Sequence, residues 1–248
     1  MLSGPSFTPA TNAPLAGLLK VSTDVNSWVD VQVTDGTNIW ERDFYDFATN
    51  HSETLLGFKP GRTNQIAVTC YDQSRNASTP LQVTFVTAPL PTNFPTSVVL
   101  TNQPALMEPG YTMFIVQPDG PQIATYIVIM DASGEVVWYR PWTANDFDVR
   151  QLGDGDLFMQ QQNPSNNFVE MNMLGNTVRT WTPPAAYPVN SHEGNVTDHG
   201  TILYLADVTG TATNFPSGTA TNAPRITARI DNNPIMEISA SNSTLLNT

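Results

Sequence analysis

The feature that most constrains this chain is that its C-terminal part repeats itself. Ile127-Val128-Ile129-Met130-Asp131-Ala132-Ser133-Gly134-Glu135-Val136-Val137-Trp138 lies over Phe168-Val169-Glu170-Met171-Asn172-Met173-Leu174-Gly175-Asn176-Thr177-Val178, with Asp131 on Asn172 and Gly134 on Gly175. Each segment reads as a hairpin whose turn opens on an Asx residue and contains glycine. A weaker third copy is read at residues 226–238. A second landmark, Leu152-Gly153-Asp154-Gly155-Asp156-Leu157-Phe158, matches Thr197-Asp198-His199-Gly200-Thr201-Ile202-Leu203 as a tight turn between strands. Gly134 and Gly175 stand 41 residues apart, and Gly155 and Gly200 stand 45 apart. That period, with four short strands in each copy, is the pattern of β-propeller blades.

The copies run over about 98–140, 146–181 and 192–239. The last is stretched by residues 208–223, where Thr-Ala-Thr-Asn occurs on both sides of Phe215-Pro216-Ser217-Gly218, and this low-complexity stretch reads as a surface loop. Propellers close with about four to eight blades. An incomplete propeller is therefore expected, with either further chain or a partner, a second copy of the chain being one, covering the open sheet edge.

Upstream, short alternating runs at 18–21, 28–33, 53–58, 65–70 and 81–86 are separated by turn signals such as Asp35-Gly36 and Lys59-Pro60-Gly61. They predict a small immunoglobulin-like β-sandwich without the Cys…Trp…Cys signature, because Cys70 stands alone. Cys70 itself reads as a strand residue. Proline-dense Pro89-Leu90-Pro91-Thr92-Asn93-Phe94-Pro95 reads as a stiff linker, dividing the chain into residues 1–95 and 96–248. Twenty prolines and fifteen glycines suit strands and turns better than helices, so the expected class is all-β.

A net charge of −12 would repel a phosphate backbone, which argues against nucleic acid as a partner. The lone cysteine excludes an intramolecular disulfide and a cysteine-based metal cluster. No apolar run reaches the length of a membrane span, and Met1-Leu2-Ser3-Gly4-Pro5 does not read as an export signal. Phosphate-binding loops, the Gly-x-Ser-x-Gly elbow and zinc signatures are absent, so no cofactor and no metal is expected. Asp154-Gly155-Asp156 lacks the rest of a calcium loop, and its counterpart Asp198-His199-Gly200 marks it as a turn.

The repeat serves as its own control, since positions that agree between copies are architectural and those that differ are candidates for function. Aligning Gly155 with Gly200 sets Phe147-Asp148 against His192-Glu193: the acid recurs, whereas a histidine replaces an aromatic. His192, at the start of an innermost strand, is suited to carrying a proton or donating to an anionic oxygen; the plainer reading packs it near the axis against a loop carbonyl. Arg150 and Asn195 follow the acidic position by two, which returns them to the same strand face. Arg150 can grip a sulfate or phosphate with two parallel donors. Asp148 and Glu193 read as partners of loop amides, with Glu193 also a candidate for substrate binding. His199 falls on a turn, His51 within the sandwich, and Trp138 and Trp181, ending equivalent outer strands, read as packing between blades.

Together, Leu56-Gly57-Phe58-Lys59-Pro60-Gly61-Arg62-Thr63-Asn64, Asp131-Ala132-Ser133-Gly134-Glu135-Val136-Val137-Trp138 and Ser191-His192-Glu193 resemble the bacterial arylsulfotransferases. The resemblance implies an N-terminal sandwich, a six-bladed propeller, and a periplasmic or extracellular location. It also implies transfer of a sulfuryl group from an aryl sulfate to a phenol without a nucleotide donor. In that family a later histidine accepts the sulfuryl group, while other histidines and an arginine bind sulfate oxygens. His192 resembles the early channel histidine, with a sulfate-binding or acid–base role; no histidine follows His199 to match the nucleophile, and neither Arg225 nor Arg229 falls in a matching motif. The chain thus reads as the N-terminal part of such an enzyme. The alternative is a non-catalytic binding or cell-surface module on the same scaffold.

Overall fold

Apolar residues at every second position, rich in valine and isoleucine, give strands with one buried face, and strands make up nearly all the regular structure. The computed structural model describes residues 2–116, 125–142, 148–161 and 166–247. Among them one three-residue 3-10 turn, Pro104–Leu106, is the sole helical element. Five strands come first: β1 Leu2–Pro9, β2 Gly17–Thr34, β3 Ile39–Leu55, β4 Thr63–Asp72 and β5 Leu81–Val86. There follow β6 Thr112–Val116, β7 Thr125–Met130, β8 Val136–Trp142, β9 Val149–Gln151, β10 Leu157–Gln161, β11 Asn167–Met171 and β12 Thr177–Trp181. The last are β13 Val189–Val196, β14 Thr201–Ala206, β15 Val208–Pro216, β16 Arg225–Asn232, β17 Ile235–Ser239 and β18 Leu245–Asn247. By contacts the chain forms two compact units, Met1–Trp142 with Met173–Asn176, and Thr143–Asn172 with Thr177–Thr248.

In the first unit β1 to β5 form one antiparallel sheet in the order β1-β2-β4-β5, with β3 also on β2. The separate runs expected at 18–21 and 28–33 are the two ends of continuous β2. Its first part pairs with β1 and its second with β4, while β3 accompanies it throughout. The sheet curls so that Phe7 of β1 meets Phe85 of β5 at 4.7 Å between ring centres, with Phe58 5.3 Å from Phe7. The same core continues through Tyr126, Val128, Val136 and Tyr139 of the β6-β7-β8 sheet. Residues 89–95 take part in it: Phe94 lies 4.7 Å from the Tyr126 ring, and Tyr126 Oη donates to Asn93 at 2.9 Å. Lys59 forms ion pairs with Asp131, at 2.9 Å, and with Glu135. Burial opposes its charge, but the hydrogen bonds to Glu135 and Asp131 outweigh that and hold its pKa above the usual lysine value.

The second unit holds the meander β12-β11-β10-β9, the sheet β13-β14-β17-β18, and the two-stranded β15-β16. Its core collects Phe158, Phe168, Trp181, Ile202, Tyr204 and Met236. The repeat glycines Gly134, Gly155, Gly175 and Gly200 all adopt positive φ, 81°, 96°, 79° and 72°, which explains why the landmark turns contain glycine. The third hairpin copy is not at residues 226–238. Arg225–Asn232 pairs instead with Val208–Pro216, so the expected surface loop is largely strand. Threonines alternating through Val208–Pro216 make a workable strand, and Ile226, Ala228 and Ile230 alternate equally well in Arg225–Asn232, so local pattern alone cannot choose the partner.

The third copy is β17 and β18 around Ser239-Ala240-Ser241-Asn242, and the tryptophans identify it. Trp138 Nε1 donates to the Met173 carbonyl at 2.8 Å, and Trp181 Nε1 donates to the Ala240 carbonyl at 2.6 Å. Met173 and Ala240 occupy the same turn position in successive copies. The partners are separated by 35 and 59 residues, and the inserted β15-β16 hairpin accounts for the difference.

Candidate functional site

Two short strands of the second unit carry the residues singled out by the repeat. β9 pairs with β10, so that Arg150 stands opposite Phe158. β13 pairs with β14 at Val189↔Ala206 and again at Gly194↔Tyr204, leaving a bulge of extra residues that contains His192 and Glu193. Bulges re-aim side chains, and this one is secured where it begins. Val189 N–H donates to Asn166 Oδ1 at 2.7 Å, and Asn190 Nδ2 donates to Asp207 at 2.6 Å. The His192 amide donates to Asn190 Oδ1 at 2.9 Å, and the imidazole is exposed. Gly194 follows because a Cβ there would lie 2.7 Å from both Gln160 Nε2 and Phe168 Cε1. Gln160 is itself buried, and its amide finds no partner among the described residues.

Arg150 is bound by two acids. Its Nε donates to Asp148 at 2.8 Å and its Nη2 to Glu193. The Asp148 bond, and then the nearby charges, outweigh partial burial and raise the pKa further above the usual guanidinium value. The two recurring acids, expected on loop amides, thus hold one guanidinium between equivalent strands of successive copies. Period 2 brings Asp148 and Arg150 together, but Glu193 becomes the second partner only because its strand, in a different sheet, comes within side-chain reach of Arg150. Asn195 is exposed and pairs with Leu203 in the ladder. Phe147, the counterpart of His192, lies outside the described residues.

His199 is exposed on its turn, and its amide donates to Thr197 Oγ1 at 3.3 Å. Cys70 is buried in β4, where burial pushes the thiol pKa up. His51, given no role by its sequence position, is almost wholly buried in β3. In the first unit a cavity of about 190 Å³ is lined by Trp40, Lys59, Tyr111 and Asp131 among others, none of them candidates from the repeat. Among the described residues no helix is long and apolar enough to cross a membrane.

A model of the arylsulfotransferase (ASST) family matches residues 92–233. The chain belongs to the arylsulfotransferase family. Comparison with curated proteins finds no match. The family match begins in the proline-dense segment and spans β6 to β16, including Arg150, His192, Glu193 and Asn195. Family membership implies small-molecule substrates.

Proposed function

We propose that this arylsulfotransferase-family chain carries an N-terminal sandwich, residues 1–95, and the first blades of a β-propeller, residues 96–248. In the full-length form the protein moves a sulfuryl group from an aryl sulfate to a phenol, outside the cytoplasm. The leaving phenolate takes up a proton and the acceptor phenol gives one up. His192 binds a sulfate oxygen or carries that proton, because imidazole changes charge near neutrality. The observation that carries the reading is the exposed His192 on the β13 bulge, immediately before a glutamate tied to Arg150 of the equivalent strand. Glu193 fixes the guanidinium, Arg150 supplies donors to the ester, and Asn195 extends the polar face. The assay is sulfuryl transfer from p-nitrophenyl sulfate to phenol by the full-length form. His192→Ala is expected to lower kcat/KM by about 10²–10⁴-fold, and unchanged kinetics would remove His192 from the site.

A second reading, a non-catalytic binding module, is favoured by the engagement of Arg150. One guanidinium between two carboxylates makes a net acidic group, poorly suited to a sulfate unless the clamp opens. Saturable binding of p-nitrophenyl sulfate without turnover by the full-length form would select this reading.

A further inference from the structure

A cluster of titratable side chains lies in the curled sheet and shares no residue with the proposed transfer site. Along β2 and β3 the register runs Ser22↔Asn50, Ser27↔Ala48 and Val29↔Phe44, so Tyr45, Asp46 and Phe47 of β3 bulge against a single residue of β2. Side chains five apart on a regular strand point to opposite faces. Here the bulge brings Asp46 to the side of His51, and period 2 places Glu53 there as well. His51 Nδ1 stands 3.2 Å from Asp46 Oδ2 and 3.9 Å from Glu53 Oε1. Its Nε2 stands 3.1 Å from the Ala48 carbonyl. The imidazole is buried, with side-chain exposure of 1%, beside the half-exposed carboxylate of Asp46 at 53%.

A carbonyl only accepts, so Nε2 carries the hydrogen. In the neutral ring Nδ1 then presents its lone pair to two carboxylates, giving three electron-pair donors around one point in a largely buried place. Such a centre calls for a cation. A histidine whose second nitrogen is anchored on a backbone carbonyl has the arrangement of a metal ligand. Ligands held at about 2.0–2.2 Å around a tetrahedral ion stand roughly 3.3–3.6 Å from one another, and the observed separations fall on either side of that range.

We propose that Asp46, His51 and Glu53 form a binding site for a divalent transition metal, zinc being the best match, with water completing the shell on the open side of Asp46. One nitrogen with two carboxylates suits zinc, whereas calcium and magnesium favour oxygen alone. The ion would tie the bulge to the inward-facing part of β3 and hold the bend there. The site is independent of sulfuryl transfer.

Calorimetric titration of the chelator-treated full chain with zinc chloride, at neutral pH, tests the site. One zinc per chain is expected, with a raised thermal midpoint and with calcium and magnesium binding far more weakly. Because His51 is buried and its replacement could unfold the sheet, the decisive variants are Asp46→Asn and Glu53→Gln, each checked by circular dichroism. Each is expected to weaken zinc binding by about tenfold or more. No stoichiometric zinc binding, zinc binding unchanged in both folded variants, or calcium binding as tight as zinc would each overturn the proposal. In the first case His51 would be an imidazolium paired with the two carboxylates.

Discussion

The repeating sheets and the curled sheet expose unusual residues in different ways. In the repeats most positions have a counterpart: His192 stands out against Phe147, and His199 is recognised as a turn residue because Asp154 occupies the same place. The curled sheet occurs once, so His51 has nothing to be compared with and its interest appears only through burial and neighbours. A repeat thus separates architecture from departure within the sequence itself. A single-copy sheet leaves that separation to packing.

The widest test of this contrast sets His192→Ala beside His199→Ala in the full-length form. The first is expected to lower transfer from p-nitrophenyl sulfate by about 10²–10⁴-fold and the second to leave it unchanged; equal effects would break the comparison. Next comes Phe58→Ala, which empties a fully buried site shared with Phe7, Phe85 and Trp40. A loss of about 3–5 kcal/mol in urea unfolding is expected. A loss below about 1 kcal/mol would mean that the curl of the single-copy sheet does not depend on this cluster.

Smaller effects sharpen the repeat itself. Gly175 and Gly200 share nearly the same φ, 79° and 72°, but a Cβ at Gly175 would lie 2.8 Å from Asn12 Cβ, whereas one at Gly200 meets nothing within 4 Å. Gly200→Ala is expected to cost about 1–2 kcal/mol for the left-handed backbone alone, and Gly175→Ala measurably more by thermal unfolding. Equal losses would show that the Asn12 contact gives way freely.

The smallest effect belongs to the curled sheet. Burial, then Glu41 and Asp43, raise the Asp30 pKa to about 6. A carboxyl whose folded pKa is raised favours the protonated folded state, so its contribution to stability falls as pH rises from about 4 through 6 and stays low above. Asp30→Asn is expected to raise the thermal midpoint by about 1–2 °C at pH 7, after allowance for solvent screening, and to do nothing near pH 3. A gain of the same size at both values would assign the effect to something other than charge.

Much of the fold was legible because its causes are local. Alternation marked most strands, and the need for positive φ marked the turns at Gly134, Gly155, Gly175 and Gly200. The third hairpin is the exception for the complementary reason, since Ile226, Ala228 and Ile230 of β16 alternate as well as Met236 and Ile238 of β17, and the pattern does not say that β16 pairs with β15 while β17 pairs with β18. A partner in a sheet is chosen by the whole sheet, not by either strand. At the proposed site, His192 and Arg150 could be picked out from their repeat positions, but the second carboxylate on Arg150 could not.

By itself, the sequence determined the all-β class, the period of the copies, their turns and the departure at His192, because each follows from neighbours along the chain or from comparison with another copy. Tertiary structure alone decided that Trp181 finds the Ala240 carbonyl, that Arg150 is shared by Asp148 and Glu193, and that a bulge turns Asp46 towards His51. In each case the decisive partner sits on another strand or beyond a break in the two-residue period, where pattern along the chain no longer says which way a side chain points.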